Sequence, residues 1–526
     1  MKIFLTLLCL VPFVSVSAEK PNIITILVDD MGYSDIGIMG SEIPTPHLDT
    51  LAGKGVLFTQ MYNTAKCYST RASLLSGVYF QQTDKEFSKT QLISETLKSA
   101  GYKSLWVGKH HANWDPRTRG FDRFYGFLGG ATSFWNPSHT QRKGEEKPAK
   151  ISEYSWILDG DEVVKPFVPP VGWYATDAFT DKALEWLDEY NKNHPFFMYV
   201  AFNSPHWPLH AHPDDIKKFK GCYDKGYEFI RQERFKRQQS TEVLGSSVGK
   251  VADSEWKKAW SSLSAQDKEN AAKRMEIHAA MIKNIDDNVG RLVAKLKEQK
   301  RLDNTIILFL SDNGASSEGP FSKGGPVDGS VSTFDSIGQE WAIASSCPLF
   351  MYKGKSYEGG INTPMIVHWP KGIKKPGRIE HTPAHLVDFL ATVVDVTGAN
   401  HNPPKNGAEL QGVSLNPVFK NNAIERAQPI YFEFKSTIAA RDGQYKAVAT
   451  KEKWKLFDVS VDRGETTDIS KEMPEKLASM KKQWYAWFED SMGMPYSDYR
   501  AAESKAKAIK SAKTKKRKGS NTISNK

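Results

Sequence analysis

Two apolar runs limit what this chain can fold into. The first is Pro21-Asn22-Ile23-Ile24-Thr25-Ile26-Leu27-Val28, closed by Asp29-Asp30-Met31-Gly32. The second is Thr305-Ile306-Ile307-Leu308-Phe309-Leu310-Ser311, closed by Asp312-Asn313-Gly314. Neither alternates apolar with polar, so each reads as a strand buried on both faces. Such strands belong to parallel sheets covered by helices on both sides. In open α/β sheets, ligands collect beyond the carboxyl ends of the strands. Each run ends there in two oxygen donors. One Asp-Asp before a glycine is an ordinary turn; a matching pair at a second buried strand points to a metal. Asp29, Asp30, Asp312 and Asn313 offer three carboxylates and an amide oxygen, a hard donor set suited to Ca2+, with Mg2+ second.

The remaining organisation follows from length and punctuation. At 526 residues the chain exceeds one small domain, and 40% hydrophobic content supports a large core. Between the two runs, Tyr102 to His111 is strand-like near its end, which puts Lys109 and His111 on one face and His110 on the other. Tyr174 to Tyr190 has helical periodicity and leads into the apolar strand Pro195 to Phe202. Tyr227 to Gln239 and Lys268 to Leu302 read as helices, and Glu318 to Pro348 as a long loop. Pro403 to Gly412 reads as a linker. Short strand candidates at Ile430–Phe434, Ile438–Ala440, Tyr445–Thr450 and Trp454–Asp458 precede a helix from Lys476 to Glu489. The expected fold is α/β: a large, mixed, mostly parallel sheet flanked by helices over residues 19–420, and a small C-terminal antiparallel sheet with a helix over 421–499.

The ends of the chain read differently from its body. Lys2, the apolar stretch Ile3 to Val14 and the small residues Val16-Ser17-Ala18 form a secretory signal pattern with cleavage after Ala18. Export to the periplasm or the medium is the expectation, with no membrane span. The net charge of +10 is concentrated in residues 500–526, where ten Lys or Arg face Glu503 alone. That tail is expected to be disordered, and the near-neutral body gives no reason to expect nucleic acid as a partner. Cys222 and Cys347 could pair in an oxidising compartment, although two cysteines make no disulfide framework.

Chemistry concentrates in Cys67-Tyr68-Ser69-Thr70-Arg71-Ala72-Ser73-Leu74-Leu75-Ser76-Gly77. The apolar positions and Gly77 suit a short helix with Cys67 at its start. A helix N-terminus favours an anion, and Arg71 adds a positive charge one turn on. Read alone, this peptide is a buried cysteine opening an ordinary helix.

Cys67-x-Ser69-x-Arg71 followed by Leu75-Ser76-Gly77 resembles the signature of the type I sulfatases, which are alkaline-phosphatase-like in fold. The family has proline or alanine where this chain has Ser69. The resemblance extends over nearly the whole chain except its tail, and takes in both acidic strand ends, Gly108-Lys109-His110-His111, the Pro205-His206 loop and Glu358-Gly359-Gly360. It implies that a maturation enzyme oxidises Cys67 to formylglycine, and that Cys67 completes the site of one divalent ion. It also implies roles for Arg71 in orienting the hydrate, for Lys109 and Lys353 on the sulfate oxygens, for His206 as acid and for His111 as base. Family spacing before Glu358 selects Lys353 over Lys355. The implied substrate is a sulfated small molecule or a sulfated glycan.

Two rival readings are open at this level. One is a phosphatase, phosphodiesterase or phosphonate hydrolase on the same sheet, although two zinc ions would want more imidazole ligands than the motifs supply. The other is a polysaccharide-binding protein with Cys67 unmodified, in which Trp114, Trp135, Trp173 and Trp207 would stack on sugar rings.

Overall fold

The computed structural model describes residues 19–523 except 85–86, 113, 191–193, 246–250, 252–255 and 323–324; beyond residue 509 it describes the backbone alone. The signal pattern and Cys9 lie outside the described residues.

The apolar runs form β1 (Asn22–Val28) and β5 (Thr305–Ser311), every residue of both buried. Between them in the sequence come β2 (Val56–Tyr62), β3 (Lys103–Lys109) and β4 (Phe196–Ala201); β6 (Asn362–His368) follows. They lie at the centre of an 11-stranded sheet in the order β2-β6-β5-β1-β4-β3, extended at both edges by shorter strands. β1 runs parallel to both β4 and β5, and β3 parallel to β4; β6 is antiparallel to β2 and β5. The register pairs Val28 with Ser311, so Asp29-Asp30 and Asp312-Asn313 leave the sheet side by side.

Alternation along β1 divides the core. Ile24, Ile26 and Val28 pack with residues of the helices Ala175–Glu189 and Ala265–Glu298, while Ile23 and Leu27 pack with residues of Cys67–Ser76 and Val387–Thr397. A strand apolar all round is what this sandwich requires.

A second, four-stranded antiparallel sheet holds β7 (Ile430–Phe434), β8 (Thr437–Asp442), β9 (Tyr445–Thr450) and β10 (Lys453–Asp458) in sequence order. Met480, Trp484 and Phe488 of the helix Pro474–Met492 share a core with Ile438, Ala447 and Leu456.

Two expectations need correction. Residues 318–348 carry a helix, Gly338–Ser345, because Trp341 buries its ring and its indole N–H donates to Ala271 O at 2.8 Å. The tail expected to be disordered continues a helix, Tyr496–Ile523, rich in the strong helix formers Ala and Lys and started by Tyr496 packing on Trp484 and Phe488. Cys222 is exposed and Cys347 buried, and both are free.

A buried ionic cluster keys the small sheet to the large one. Lys446 on β9 lies 2.8 Å from Glu358 and 2.9 Å from Glu465. Glu358 also accepts from Tyr62 Oη at 3.0 Å and Asn362 Nδ2 at 2.9 Å. Removing one partner from a buried ion cluster strands the others without compensation. Lys446→Met is therefore expected to cost on the order of 3–5 kcal/mol, seen as a lower urea midpoint. An unchanged midpoint would show that the cluster does not join the two sheets.

Candidate active site

The site is built from six segments that meet at the carboxyl ends of β1, β3, β4 and β5. Asp29 and Asp30 follow β1, and Asp30 turns the chain in the left-handed region (φ 71). Asp312 and Asn313 follow β5. The two turns are stitched together: Asp30 N donates to Asp312 Oδ1 (3.3 Å), Met31 N to Ser311 Oγ (3.1 Å) and Ser311 Oγ to Asn313 O (2.9 Å). Asn313 Nδ2 donates to Asp30 Oδ1 at 2.7 Å, which leaves its amide oxygen without a protein partner.

Cys67 opens the helix Cys67–Ser76, with Lys66 extended before it and Gly77 closing it in the left-handed region (φ 69). Ser69 has a local function at this helix start. Its hydroxyl donates to Lys66 O (3.0 Å) and accepts from Thr64 Oγ1 (2.6 Å), tying the approach to Cys67 onto the first turn. Arg71, on the same helix, reaches Asp312 Oδ2 at 2.8 Å and Lys109 O at 3.3 Å.

Lys109, the last residue of β3, lies 2.5 Å from Asp29 Oδ2. Lys353 lies 2.5 Å from Asp30 Oδ1. Two backbone bonds hold its loop in place, Lys353 N to Ala315 O (3.1 Å) and Gly354 N to Ala65 O (2.8 Å). They tether Lys353 to the β5 turn and to the segment before Cys67. Lys355 makes no ion pair with the acidic group. His206 lies in the turn after β4, whose Ser204 O accepts from Asp29 N at 3.0 Å. His206 Nε2 is 3.5 Å from Asp30 Oδ2, and Nδ1 is 2.6 Å from Trp207 O.

His110 and His111 separate as their alternation requires. His110 turns into an aromatic pocket against Trp106 and Trp114, where burial lowers its pKa to about 3. His111 faces the site, held in the left-handed region (φ 68) with its ring against Tyr68 and a close approach to Gly130. Asp30 and His111 are both held in this backbone region at the site, at a cost of about 1–3 kcal/mol each.

All ten residues singled out in the sequence are thus in one place. Asp29, Asp30, Cys67, Arg71, Lys109, His206, Asp312, Asn313 and Lys353 are buried, and His111 is half-buried beside them. Sequence reading missed Ser311, Tyr68 and Glu318. Ser311 ends an apolar run and looks like part of the strand; Tyr68 and Glu318 carry no spacing signal.

The electrostatics fit a divalent cation. Burial, and then the facing Asp29, push the Asp312 carboxyl up to about 7, against the pull of Arg71. Burial would lift Asp30 too, but Lys353 and His206 outweigh it and hold Asp30 well below the usual carboxylate range. Burial drives His206 down to about 3, so its imidazole is neutral at pH 7. The carbonyl of Trp207 can only accept, so Nδ1 carries the proton and the Nε2 lone pair faces Asp30. Asp29 Oδ1, Asp30 Oδ2 and Asn313 Oδ1 are buried without hydrogen-bond donors. Ligand atoms of Asp29, Cys67 and Asp312 lie within 4.8 Å of one another, as do those of Asp29, Asp30 and His206. Three buried carboxylates and an orphaned amide oxygen suit a hard cation and hold too few imidazoles for paired zinc.

Comparison with known proteins agrees with this geometry. Residues 21–399 match the family described as Sulfatase, and residues 350–490 match the N-sulphoglucosamine sulphohydrolase C-terminal domain. An arylsulfatase of Klebsiella aerogenes is 32% identical over 438 residues, spanning 76% of this chain and 92% of that protein. An uncharacterized sulfatase of Schizosaccharomyces pombe is 29% identical, spanning 89% and 94%. Among solved structures, Ps i-CgsB in complex with k-i-k-neocarrahexaose superposes with a TM-score of 0.67 at 27% identity, covering 93% of this chain and 98% of that one.

Proposed function

Because the chain belongs to the sulfatase family and is a hydrolase of sulfuric esters, we propose that it is an exported glycan sulfatase. Cys67 would be matured to formylglycine, with one divalent ion, Ca2+ before Mg2+, held by Asp29, Asp30, Asp312, Asn313 and the modified Cys67. The observation that supports this most is the convergence of Cys67 with two lysines, Arg71 and three buried carboxylates on one strand-end cleft. The metal would supply charge stabilisation at the sulfate oxygens. Formylglycine, once hydrated, would supply two hydroxyls on one carbon, one for attack on sulfur and one for release of sulfate.

The chain's own residues do the rest. Lys109 and Lys353, both paired to carboxylates beneath the site, present fixed ammonium groups where negative charge builds on the sulfuryl oxygens. Arg71, locked to Asp312, holds position 67 from the helix side. Asp312, with a carboxylate oxygen within 4.8 Å of the Cys67 sulfur, is placed to take a proton from position 67. His206 has committed its Nδ1–H to Trp207 O, so Nε2 is the atom turned to the site, and it would act as the acid toward the departing oxygen only after taking up a proton there. His111, lowered in pKa by burial and by the cations around it, is a neutral base on the opposite side.

A sugar substrate is favoured over a small phenol by the surroundings. Exposed Tyr68 stands beside the nucleophile and packs on His111 and Phe434, offering an aromatic face at the mouth. A cavity of about 780 Å3 opens between Tyr68, His111 and Trp114, large enough for a saccharide unit. The solved relative bound to k-i-k-neocarrahexaose supports the same class. Release of sulfate from defined sulfated oligosaccharides, run beside the matched phosphates, tests the reading. Turnover of phosphate esters alone would overturn it. Among the described residues no helix is long and apolar enough to cross a membrane.

The two lysines of the Lys353 loop are separable by experiment. Lys353→Ala is expected to lower kcat by about 10²–10³-fold, the scale of losing one oxyanion donor, with a smaller change in KM. The reverse ranking, with Lys355→Ala costing more turnover on an aryl sulfate, would displace Lys353 from the site.

A further inference from the structure

Beside the nucleophile lies a second recess, of about 240 Å3, whose walls include Lys66, Glu318, Lys353, Lys355, Phe434 and Lys435. Four segments distant in sequence build it: the stretch before Cys67, the loop after β5, the Lys353 loop and the turn joining β7 to β8. The last of these is the small sheet's contribution to the mouth of the site.

Its charges are not balanced. The Glu318 carboxylate takes Lys66 at 3.4 Å and the Trp207 indole N–H at 2.6 Å, and Lys353 is bound to Asp30. Lys355 and Lys435 have no carboxylate within ion-pair distance among the described residues. Lys435 Nζ lies 5.1 Å from the centre of the Phe434 ring, which keeps the side chain along the recess wall. The backbone at Lys435 is left-handed (φ 57), in a two-residue hairpin turn where glycine or asparagine is the usual occupant. Tyr496 Oη and Arg500 Nη1 of the last helix both donate to Lys435 O, at 3.3 and 3.0 Å, and hold the turn in that shape. A lysine kept at a strained position, clamped from behind and unpaired in front, marks a place for a ligand's negative charge.

We infer that this recess is an anion subsite. It takes a second sulfate or a carboxylate of a polyanionic glycan whose reacting sulfate ester lies at Cys67. The inference rests on the sulfatase reading of the main site and narrows it, from sulfated glycans in general to those with a second negative group near the scissile ester. Lys355 and Lys435 are the specificity-determining residues. The final helix has a function in the same scheme, as the clamp on the Lys435 turn.

The test measures inhibition of 4-nitrophenyl sulfate hydrolysis by matched disaccharides carrying one sulfate, two sulfates, or one sulfate and one carboxylate. This readout works whether or not the sugars are cleaved. Wild-type protein is expected to bind a dianionic sugar about 10-fold or more tightly than the monosulfated one, the scale of one charge-assisted hydrogen bond. That preference should fall steeply with salt. Whichever dianionic arm shows it identifies the second group as sulfate or carboxylate. Lys355→Ala combined with Lys435→Ala should collapse the ratio of inhibition constants toward one, and the corresponding Arg pair should keep it. A ratio unchanged in the alanine pair, or absent in the wild type, overturns the subsite and leaves the sulfatase reading standing. No hydrolysis of any sulfate ester by protein with matured Cys67 overturns both.

Discussion

Serine in place of Cys67 is expected to leave the protein folded and nearly inactive, down by roughly 10⁴–10⁶-fold, the scale on which covalent enzymes lose rate when the nucleophile is removed. The substitution is nearly isosteric at a buried position, so packing gives no reason for the loss. The reason is chemical. A single hydroxyl could take the sulfuryl group, but no second hydroxyl on the same carbon would remain to expel sulfate. The unmodified thiol is no better placed. Burial pushes the Cys67 thiol up in pKa despite Lys109 and Lys353 nearby, so at pH 7 it stays protonated and weakly nucleophilic. Mass spectrometry of the peptide carrying Cys67 should show an aldehyde in the active fraction. A fully active preparation with only thiol at that position would end this reading.

Ser69 makes the experiment more informative. Its hydroxyl bridges Thr64 and Lys66 O, so serine fixes by hydrogen bonds the helix entry that the family's proline fixes by its ring. Ser69→Pro removes both bonds but keeps a backbone suited to a helix's first turn, whose N–H groups have no intrahelical partner. The variant should therefore fold. In a host whose maturation enzyme prefers proline, the aldehyde fraction of that peptide should rise.

How far the sequence discloses this site depends on how local each signal is. β1 and β5 were legible because an interior parallel strand must be apolar on both faces, and their acidic ends mark the rim. Lys109, His206 and Lys353 follow only once the family resemblance is recognised. What decides between Lys353 and Lys355, however, is a pair of backbone bonds to Ala315 and Ala65, residues brought together only by the fold. The left-handed turns at Asp30 and His111 leave no trace in composition, since neither is glycine or asparagine. The Glu358–Lys446–Glu465 cluster unites segments whose charges, read locally, look like ordinary solvated side chains. The tail misled for the converse reason: lysine-rich composition argues for solvation, yet alanine and lysine are also helix formers, and Tyr496 gives them an anchored start.

Removal of Asp312 should cost more than its share of the metal site. Asp312 belongs to three interactions at once: it accepts from Arg71 at 2.8 Å, it accepts from the Asp30 backbone at 3.3 Å, and it faces Asp29 across the cleft. In Asp312→Ala the helix carrying Cys67 loses its tie to the β5 turn, and Arg71 keeps only Lys109 O and a 4.0 Å approach to Asp29. Metal affinity should fall by more than the about 10–100-fold that loss of a residue orienting a ligand costs, since the proposed ligand and the orientation of position 67 go together. Asp312→Asn separates the two effects, because the amide oxygen can still accept from Arg71 while one negative charge is gone. If charge holds the cation, calcium content measured on the purified protein should fall in both variants. If the Arg71 tie is what matters, the asparagine variant should retain calcium and the alanine variant lose it. Stoichiometric calcium in both would remove Asp312 from the metal site, and two zinc ions per chain in the wild type would favour the phosphatase alternative.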